Sequence, residues 1–264
     1  MIKNGLNSPR DIRILFLGQC IQYGYEGVSR YSTYPNVAAS ILMAQFPSFR
    51  FKFDFKYLHH PTGLKAILQH RLPLTRPRLT VITLPAMFAA THWRVNLVYQ
   101  IAPELVDTAR SFMRQIEAKV RGVDQTALGR HTLIDKTFAV QPPLSLDNYE
   151  RLVETALSYA KQTSRRIILM GPGRFNDDTH EDYAVHSPQL WSSVNEMVAR
   201  LGARLNLPVI NMQDALTEYG GEVFISNNHR FSEFGHEVVG REVARVLAAE
   251  LRMLALDEYA QTKL

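Results

Sequence analysis

Cysteine is nearly absent from this 264-residue chain, and the single one, Cys20, excludes an internal disulfide and any Cys-x-x-Cys metal or redox pair. Its remaining meanings are a packed thiol or a reactive one. Long hydrophobic runs are also missing. Stretches such as Ile167-Ile168-Leu169-Met170 are too short to cross a bilayer, and Met1-Ile2-Lys3-Asn4-Gly5 has no apolar signal-peptide core. An unpaired thiol without an export signal makes the cytoplasm the expected compartment, with no membrane partner. Charge of one sign is only slightly in excess, 30 Lys+Arg against 25 Asp+Glu. The basic residues come in short groups such as Arg165-Arg166 and Arg76-Pro77-Arg78 rather than in a stripe with interleaved aromatics, which argues against nucleic acid. No His-x-x-x-His spacing occurs, so neither a metal site nor a cofactor is expected.

What is present is enough apolar residue, 46% of the chain, for one large core, and nothing resembles a linker between two domains. The expectation is one domain over residues 1–264, with a surface excursion at 123–145 where patterning is weak. Residues 12–17 form a near-continuous apolar run, as in a strand covered on both faces, and Gly18 permits a sharp exit towards Cys20. Thr33-Tyr34-Pro35 opens a helix that should end near Phe46-Pro47. Residues 51–58 alternate apolar and polar side chains, as in a strand near a sheet edge. A short helix over 64–72 and a strand over 79–84, stopped by Pro85, follow.

Helical spacing predicts an amphipathic helix over 103–120. Asp147 and Glu150 resemble a capping box for a helix over 148–162, which feeds a strand at 167–170. Ser187-Pro188 starts a helix running to about Leu205, residues 208–211 read as a fifth strand, and Ser232 caps a last amphipathic helix. Five strands separated by helices, without an Asn-Gly hairpin signal, predict right-handed crossovers. The fold class is therefore α/β: a three-layer α/β/α sandwich around a five-stranded parallel sheet in the flavodoxin-like order 2-1-3-4-5. Ligands of such sheets bind at the C-terminal edge of the strands.

Gly18-Gln19-Cys20-Ile21-Gln22-Tyr23-Gly24 resembles the opening Gly-Asp-Ser block of the GDSL/SGNH hydrolase superfamily. Gly63 falls where the second-block glycine of that family stands, and Ser232-Glu233-Phe234-Gly235-His236 is similar to the start of its last helix. The resemblance covers nearly the whole chain. It implies hydrolysis of ester or related acyl bonds by a serine nucleophile with an Asp-x-x-His pair. It also implies an oxyanion hole from the nucleophile's N–H, the block-two glycine and a block-three asparagine.

The chain departs from that pattern at each catalytic side chain. Cys20 stands at the serine and Gln19 at the preceding aspartate, while Pro85-Ala86-Met87-Phe88 replaces Gly-x-Asn-Asp. The Met87 thioether cannot donate to an oxyanion. Counting back from Ser232 puts Asn227 at the family's aspartate and Arg230 at its histidine, with His229 one position off.

Two functions stay open. As an enzyme, the chain is an acyl hydrolase or acyltransferase on a small ester or thioester. Cys20 attacks, His229 is the base oriented by Asn227, and the N–H groups of Cys20 and Gly63 hold the oxyanion. Gln19, His60, Met87 and Arg230 then line the substrate pocket. As a non-enzyme, it is an inactive scaffold that binds an acyl, sugar or anionic ligand. In either case Arg230 reads as a clamp for an anion, and if no one-residue insertion has occurred its guanidinium rather than His229 faces the pocket, where it lowers the Cys20 thiol pKa.

Six histidines, His59, His60, His92, His180, His186 and His229, should gather at the C-terminal edge. Asp177-Asp178 with His180, Glu181 and Asp182 reads as a solvated acidic loop, and Gly171-Pro172-Gly173-Arg174 lacks the Lys-Ser/Thr ending of a phosphate loop.

Overall fold

The structure, a computed structural model, describes residues 10–18, 28–58, 61–89, 93–94, 116, 119, 140–141, 144–163, 166–173, 188–225 and 231–261. Strand β1 (Arg10–Gly18) is followed by a 3-10 turn at Arg30–Ser32, helix α1 (Tyr34–Gln45), strand β2 (Phe49–Tyr57), helix α2 (Thr62–Thr75) and strand β3 (Leu79–Thr83). A 3-10 turn at Ala86–Ala89 precedes the two-residue strands β4 (Trp93–Arg94) and β5 (Val140–Gln141). Then come α3 (Leu146–Thr163), β6 (Arg166–Met170), α4 (Pro188–Leu205), β7 (Val209–Ile210), α5 (Met212–Thr217) and α6 (Glu233–Gln261). Five strands form one parallel sheet in the order β2-β1-β3-β6-β7, which is the predicted 2-1-3-4-5. Strands β4 and β5 pair antiparallel outside it, a contact between segments far apart in sequence that no local turn signal announces.

Alternation along β1 distributes its side chains to two cores. Ile12, Ile14 and Phe16 join the cluster that includes Tyr34, Ala38 and Leu42 of α1 and Val239, Val243 and Leu247 of α6. Leu15 and Leu17 join Leu64, Leu68 and Leu72 of α2, Val153 and Leu157 of α3, and Val194, Met197 and Leu201 of α4. Both faces of β1 are therefore covered, and its apolar run is continuous for that reason. Strand β2 lies at the sheet edge, as its alternation predicts. Its Phe49, Phe51, Phe53 and Phe55 pack on the first core, and the Phe16 ring stacks on Phe55 at 5.6 Å between centroids. Arg50, Lys52, Asp54 and Lys56 alternate with them, charges that blunt an exposed strand edge.

Two helices begin or end elsewhere than the sequence predicts. Helix α2 runs past Pro73 to Thr75, because near a helix end the lost N–H and the ring are accommodated within the last turn. Helix α3 starts at Leu146 and is capped by Ser145, whose Oγ accepts from the Asn148 N–H at 3.3 Å. The expected Asp147–Glu150 box does not form: Glu150 instead accepts from Arg200 at 3.0 Å and Arg204 at 2.9 Å on α4. Burial pushes the Glu150 carboxyl up, and the two guanidiniums outweigh it and hold the group below its usual range. Helix α5 has no counterpart in the sequence reading. The helix expected over 103–120 lies outside the described residues except for Ile116 and Lys119, which are helical. Of the excursion expected at 123–145, only the β5 pair and the lead-in to α3 are described.

Phe16 is 1% exposed and meets Phe53 and Phe55, so its truncation leaves a cavity beneath the edge strand. Phe16→Ala should lower unfolding free energy by about 3–5 kcal/mol in urea titration. Phe51→Ala, at a half-buried position of the same stack, should cost less.

Candidate functional site at the C-terminal edge of the sheet

The parallel strands bring Gly18, Tyr57, Thr83, Met170 and Ile210 to one edge. Gly18 ends β1, and its carbonyl accepts from the Leu58 N–H at 2.6 Å, locking the exits of β1 and β2 side by side. Gln19 and Cys20 follow directly and lie outside the described residues, as does His60 beyond Leu58. Pro61 then caps α2, so Gly63 occupies the second helical position. Its N–H belongs to the first turn, where no intrahelical acceptor exists, and it sits at the positive end of a 14-residue helix. A Cβ at Gly63 would meet nothing within 4 Å. The glycine is therefore not required by crowding, and the space beside it is open.

On the far side of β1, β3 leads into Leu84, Pro85 and the 3-10 turn Ala86–Ala89, which carries the backbone of Met87. The Tyr149 hydroxyl of α3 donates to the Pro85 carbonyl at 3.1 Å and fixes this exit. Burial pushes the Tyr149 hydroxyl well above its usual value, so it remains a donor at any working pH. The next exit, Gly171-Pro172-Gly173, is buried, and Asn195 of α4 donates through Nδ2 to the Pro172 carbonyl at 3.2 Å. It is a packed crossing rather than an anion loop.

The segment carrying Asn227, His229 and Arg230 lies outside the described residues, but both of its ends are described. Phe224 and Phe231 form an antiparallel bridge. Ser232 N–H donates to the Val223 carbonyl at 2.9 Å, and the Ser232 hydroxyl donates to the Glu222 carbonyl at 2.7 Å. The same Oγ accepts from the Gly235 N–H at 3.0 Å, so Ser232 caps α6 as its position predicts. Gly235 is packed so closely that a Cβ there would stand 2.0 Å from the Val223 carbonyl oxygen. The two described ends of this segment, Phe224 and Phe231, are thus held together against the start of α6.

His236 is the group at this edge whose role the sequence reading missed. It is fully buried, and its Nδ1 accepts from the Tyr34 N–H at 3.1 Å, joining the starts of α6 and α1. Its ring stacks on Tyr34 at 6.1 Å and meets Phe231 edge-on at 5.5 Å. Burial pulls its pKa down to about 4 against the opposing charge of Glu233. The Tyr34 hydroxyl in turn reaches Thr83 Oγ1 at 3.5 Å, and that hydroxyl donates to Met170 Sδ at 3.7 Å. The signal available in sequence was a histidine within an apolar helical stripe, which does not distinguish a ligand from a core residue. The six histidines expected at this edge, and the acidic loop at 177–182, lie outside the described residues. Among the described residues no group of three or more His, Cys, Asp or Glu could hold a metal ion, and no helix is long and apolar enough to cross a membrane.

This is the α/β fold of known lipase/acylhydrolase structures. The chain is similar to the lipase/acylhydrolase from Enterococcus faecalis, with 16% identity, a TM-score of 0.58 and coverage of 91% of this chain and 96% of that one. It is similar to an acetylxylan esterase from Geobacillus stearothermophilus, with 15% identity, a TM-score of 0.57 and coverage of 90% and 95%. An alpha/beta hydrolase enzyme from the metagenome of Lake Arreo, Spain, matches with 16% identity, a TM-score of 0.57 and coverage of 93% and 98%. Structures of the acetylxylan esterase include catalytic mutants in which a serine, a histidine, and an aspartate three positions before that histidine are replaced by alanine. No protein-family model matches the chain, and no curated protein matches it by sequence.

Two outcomes follow from the loop base. Gly235→Ala should destabilise by about 1–3 kcal/mol, towards the upper end because the obstructing atom is backbone, read as a fall in thermal midpoint. His236 binds a proton less readily in the folded chain than in the unfolded one, where it titrates near ~6.5. Its contribution is fully present above pH 6.5 and should be lost progressively as pH falls towards 4, by up to about 3 kcal/mol. His236→Gln, which keeps an acceptor for Tyr34, should flatten stability against pH over that window in urea unfolding.

Proposed function

We propose that the protein is an SGNH-like acyl hydrolase or acyltransferase acting on a small ester or thioester, a divergent relative of the GDSL/SGNH superfamily with Cys20 in place of serine. The observation that carries the reading is the convergence at one sheet edge of three features: the Gly18 exit, the donor end of α2 at Gly63, and the Phe224–Phe231 bridge at the start of α6. These are the three places from which the fold's nucleophile, oxyanion donor and base would come. The esterase and acylhydrolase neighbours support the class of reaction.

In this mechanism the Cys20 thiolate attacks the acyl carbonyl carbon, forming a C–S bond and placing negative charge on the carbonyl oxygen. The N–H groups of Cys20 and Gly63 stabilise that oxygen, the second with the field of α2 behind it. The tetrahedral species collapses with loss of the alcohol or thiol, protonated by His229, and leaves a thioester on Cys20. Water or an acceptor hydroxyl, deprotonated by the same imidazole, releases the acyl group and regenerates the thiol. Asn227 orients His229 through its second ring nitrogen. Gln19, His60, Met87 and Arg230 border the substrate. A thiol near pKa ~8.5 needs less help from a base than a hydroxyl does, which fits a chain with Asn227 where the resemblance implies the superfamily's aspartate.

The second reading is an inactive scaffold that binds an acyl, sugar or anionic ligand, and the same Asn227 favours it, together with the lack of an asparagine donor at Met87. Iodoacetamide alkylation of Cys20 against pH separates the two. The enzyme reading expects a reactive thiol below pH 8 with a second titration near ~6.5 from His229, and loss of aryl-ester or thioester turnover in both Cys20→Ala and His229→Ala. A thiol inert below pH 8 and no turnover establish the scaffold. A single thiol titration that moves to higher pH in Arg230→Gln puts the guanidinium, not the imidazole, beside Cys20.

A further inference from the structure

Strand β2 ends the sheet on one side, and its outer edge has the pattern of a strand that pairs with itself. The Leu58 N–H donates to the Gly18 carbonyl, so even-numbered residues of β2 turn their backbone groups towards β1 and odd-numbered residues turn theirs outwards. The Phe49 N–H is taken by the Phe46 carbonyl at 3.0 Å, which closes the edge on that side. Among the described residues nothing bonds the outward N–H and C=O groups of Phe51 and Phe53. An open stretch of ladder remains there, with Lys52 at its centre.

The side chains around Lys52 are complementary to themselves in reverse. Residues 50–54 read Arg-Phe-Lys-Phe-Asp. In an antiparallel pair of two copies with the two-fold axis at Lys52, Phe51 stands opposite Phe53 of the second copy and Arg50 opposite its Asp54, and symmetry repeats both pairs. Phe51 and Phe53 then exchange N–H and C=O bonds with their opposites. Their rings, half-buried and stacked at 5.8 Å, meet two more of the same kind on one face of the joined sheet. Lys52 is bonded to Asp11 of its own chain, which offsets the like charge across the axis. Neighbouring registers fit less well. An axis at Phe51 sets Arg50 against Lys52, one at Phe53 sets Arg50 against Lys56, and one at Asp54 sets two carboxylates together. The charges that discourage other pairings of this edge therefore suit this one.

We infer that the β2 edge is a self-association surface: a second copy of the chain adds its β2 antiparallel to this one about a two-fold axis at Lys52 and joins two five-stranded sheets into one. A second copy rather than a foreign strand is the occupant, because the same five residues supply both halves of every charge pair and ring pair. A contact between two short strands is small against the roughly 1,200–2,000 Å² of a standard interface, so the dimer is weak, with a dissociation constant of micromolar order. The surface does not depend on the acyl-transfer reading.

Sedimentation velocity of the full chain from about 1 to about 200 µM, in about 0.1 M salt, tests this. A reversible monomer–dimer equilibrium is expected. Arg50→Asp and Asp54→Arg each set like charges opposite one another twice and should weaken the dimer at least ~10-fold, with a thermal midpoint near the parent's because both side chains reach the surface. The chain carrying both reversals should regain the parent's affinity, a rescue that loss of folding would not give. In a Cys20→Ala chain, Lys52→Cys should cross-link two copies under mild oxidation, since opposed residues of a non-hydrogen-bonded pair have Cα atoms about 4.5 Å apart. Lys65→Cys, exposed on α2, should not. A chain that stays monomeric to about 200 µM overturns the inference and leaves the edge to a foreign strand. A dimer indifferent to either single reversal, no rescue in the double reversal, or cross-linking at Phe53→Cys but not at Lys52→Cys also overturns it.

Discussion

One buried imidazole holds the C-terminal edge of this sheet together. His236 accepts the Tyr34 N–H and lies between the rings of Tyr34 and Phe231, so it fixes three things at once: the start of α1, the start of α6 and Phe231 just ahead of it. The first backbone N–H groups of a helix have no partner within the helix, and a buried one needs an acceptor from elsewhere. Here the acceptor comes from a helix 202 residues away in sequence. The Tyr34 hydroxyl then extends the contact to Thr83 and, through it, to Met170, so a thin polar chain runs from α6 across α1 to β3 and β6 beneath the loops. Because the polar atoms are buried, each bond is worth more as a positioning device than as net stability.

The two ends of the sheet differ in chemistry because a parallel sheet separates them. All strand C-termini face one way, so exits, helix N-termini and their orphan donors collect there, while helix C-termini collect at the other end. The end of α2 illustrates both halves. Its first turn offers the Gly63 N–H at the candidate acyl site, and its last turn offers the Thr75 carbonyl, which Arg13 reaches at the opposite end. A cation drawn to a helix C-terminus is expected from the macrodipole alone.

The architecture was legible because it follows from patterns that are local: a continuous apolar run for β1, strict alternation for β2, Pro35 at the start of α1 and Ser232 before α6. Failures came where a distant partner decides. Asp147 and Glu150 have the spacing of a capping box, but Arg200 and Arg204 take the Glu150 carboxylate and Ser145 does the capping. Helix α5 is six residues long, too short for periodicity to register, although its Asn211 cap, accepting from the N–H groups of Gln213 and Asp214, is a readable start signal. For the site, the glycine at the donor end of α2 and the N-cap that sets the last loop's register were both readable. The role of His236 was not, because a buried acceptor and a metal ligand look alike in one dimension.

Identity of 15–16% with hydrolases of this fold over about nine-tenths of the chain shows where the constraint lies. The sheet order and the crossovers depend on which positions are apolar, and many sequences satisfy that pattern. The polar side chains of a catalytic edge are under no such demand from the fold. Cysteine can stand for serine and asparagine for aspartate with similar volume and no change in the core. Chemistry is less forgiving. Asparagine can still orient an imidazole through its carbonyl oxygen, but it supplies no negative charge to stabilise the imidazolium that forms when a hydroxyl is deprotonated. A thiol lowers that demand because it ionises more easily than an alcohol hydroxyl, leaving the base less proton affinity to supply. In the mechanism we propose, the two replacements are mutually compatible: losing the carboxylate disables a serine site far more than a cysteine site, and the proposed pair of Cys20 with Asn227 is one in which acyl transfer would survive that loss.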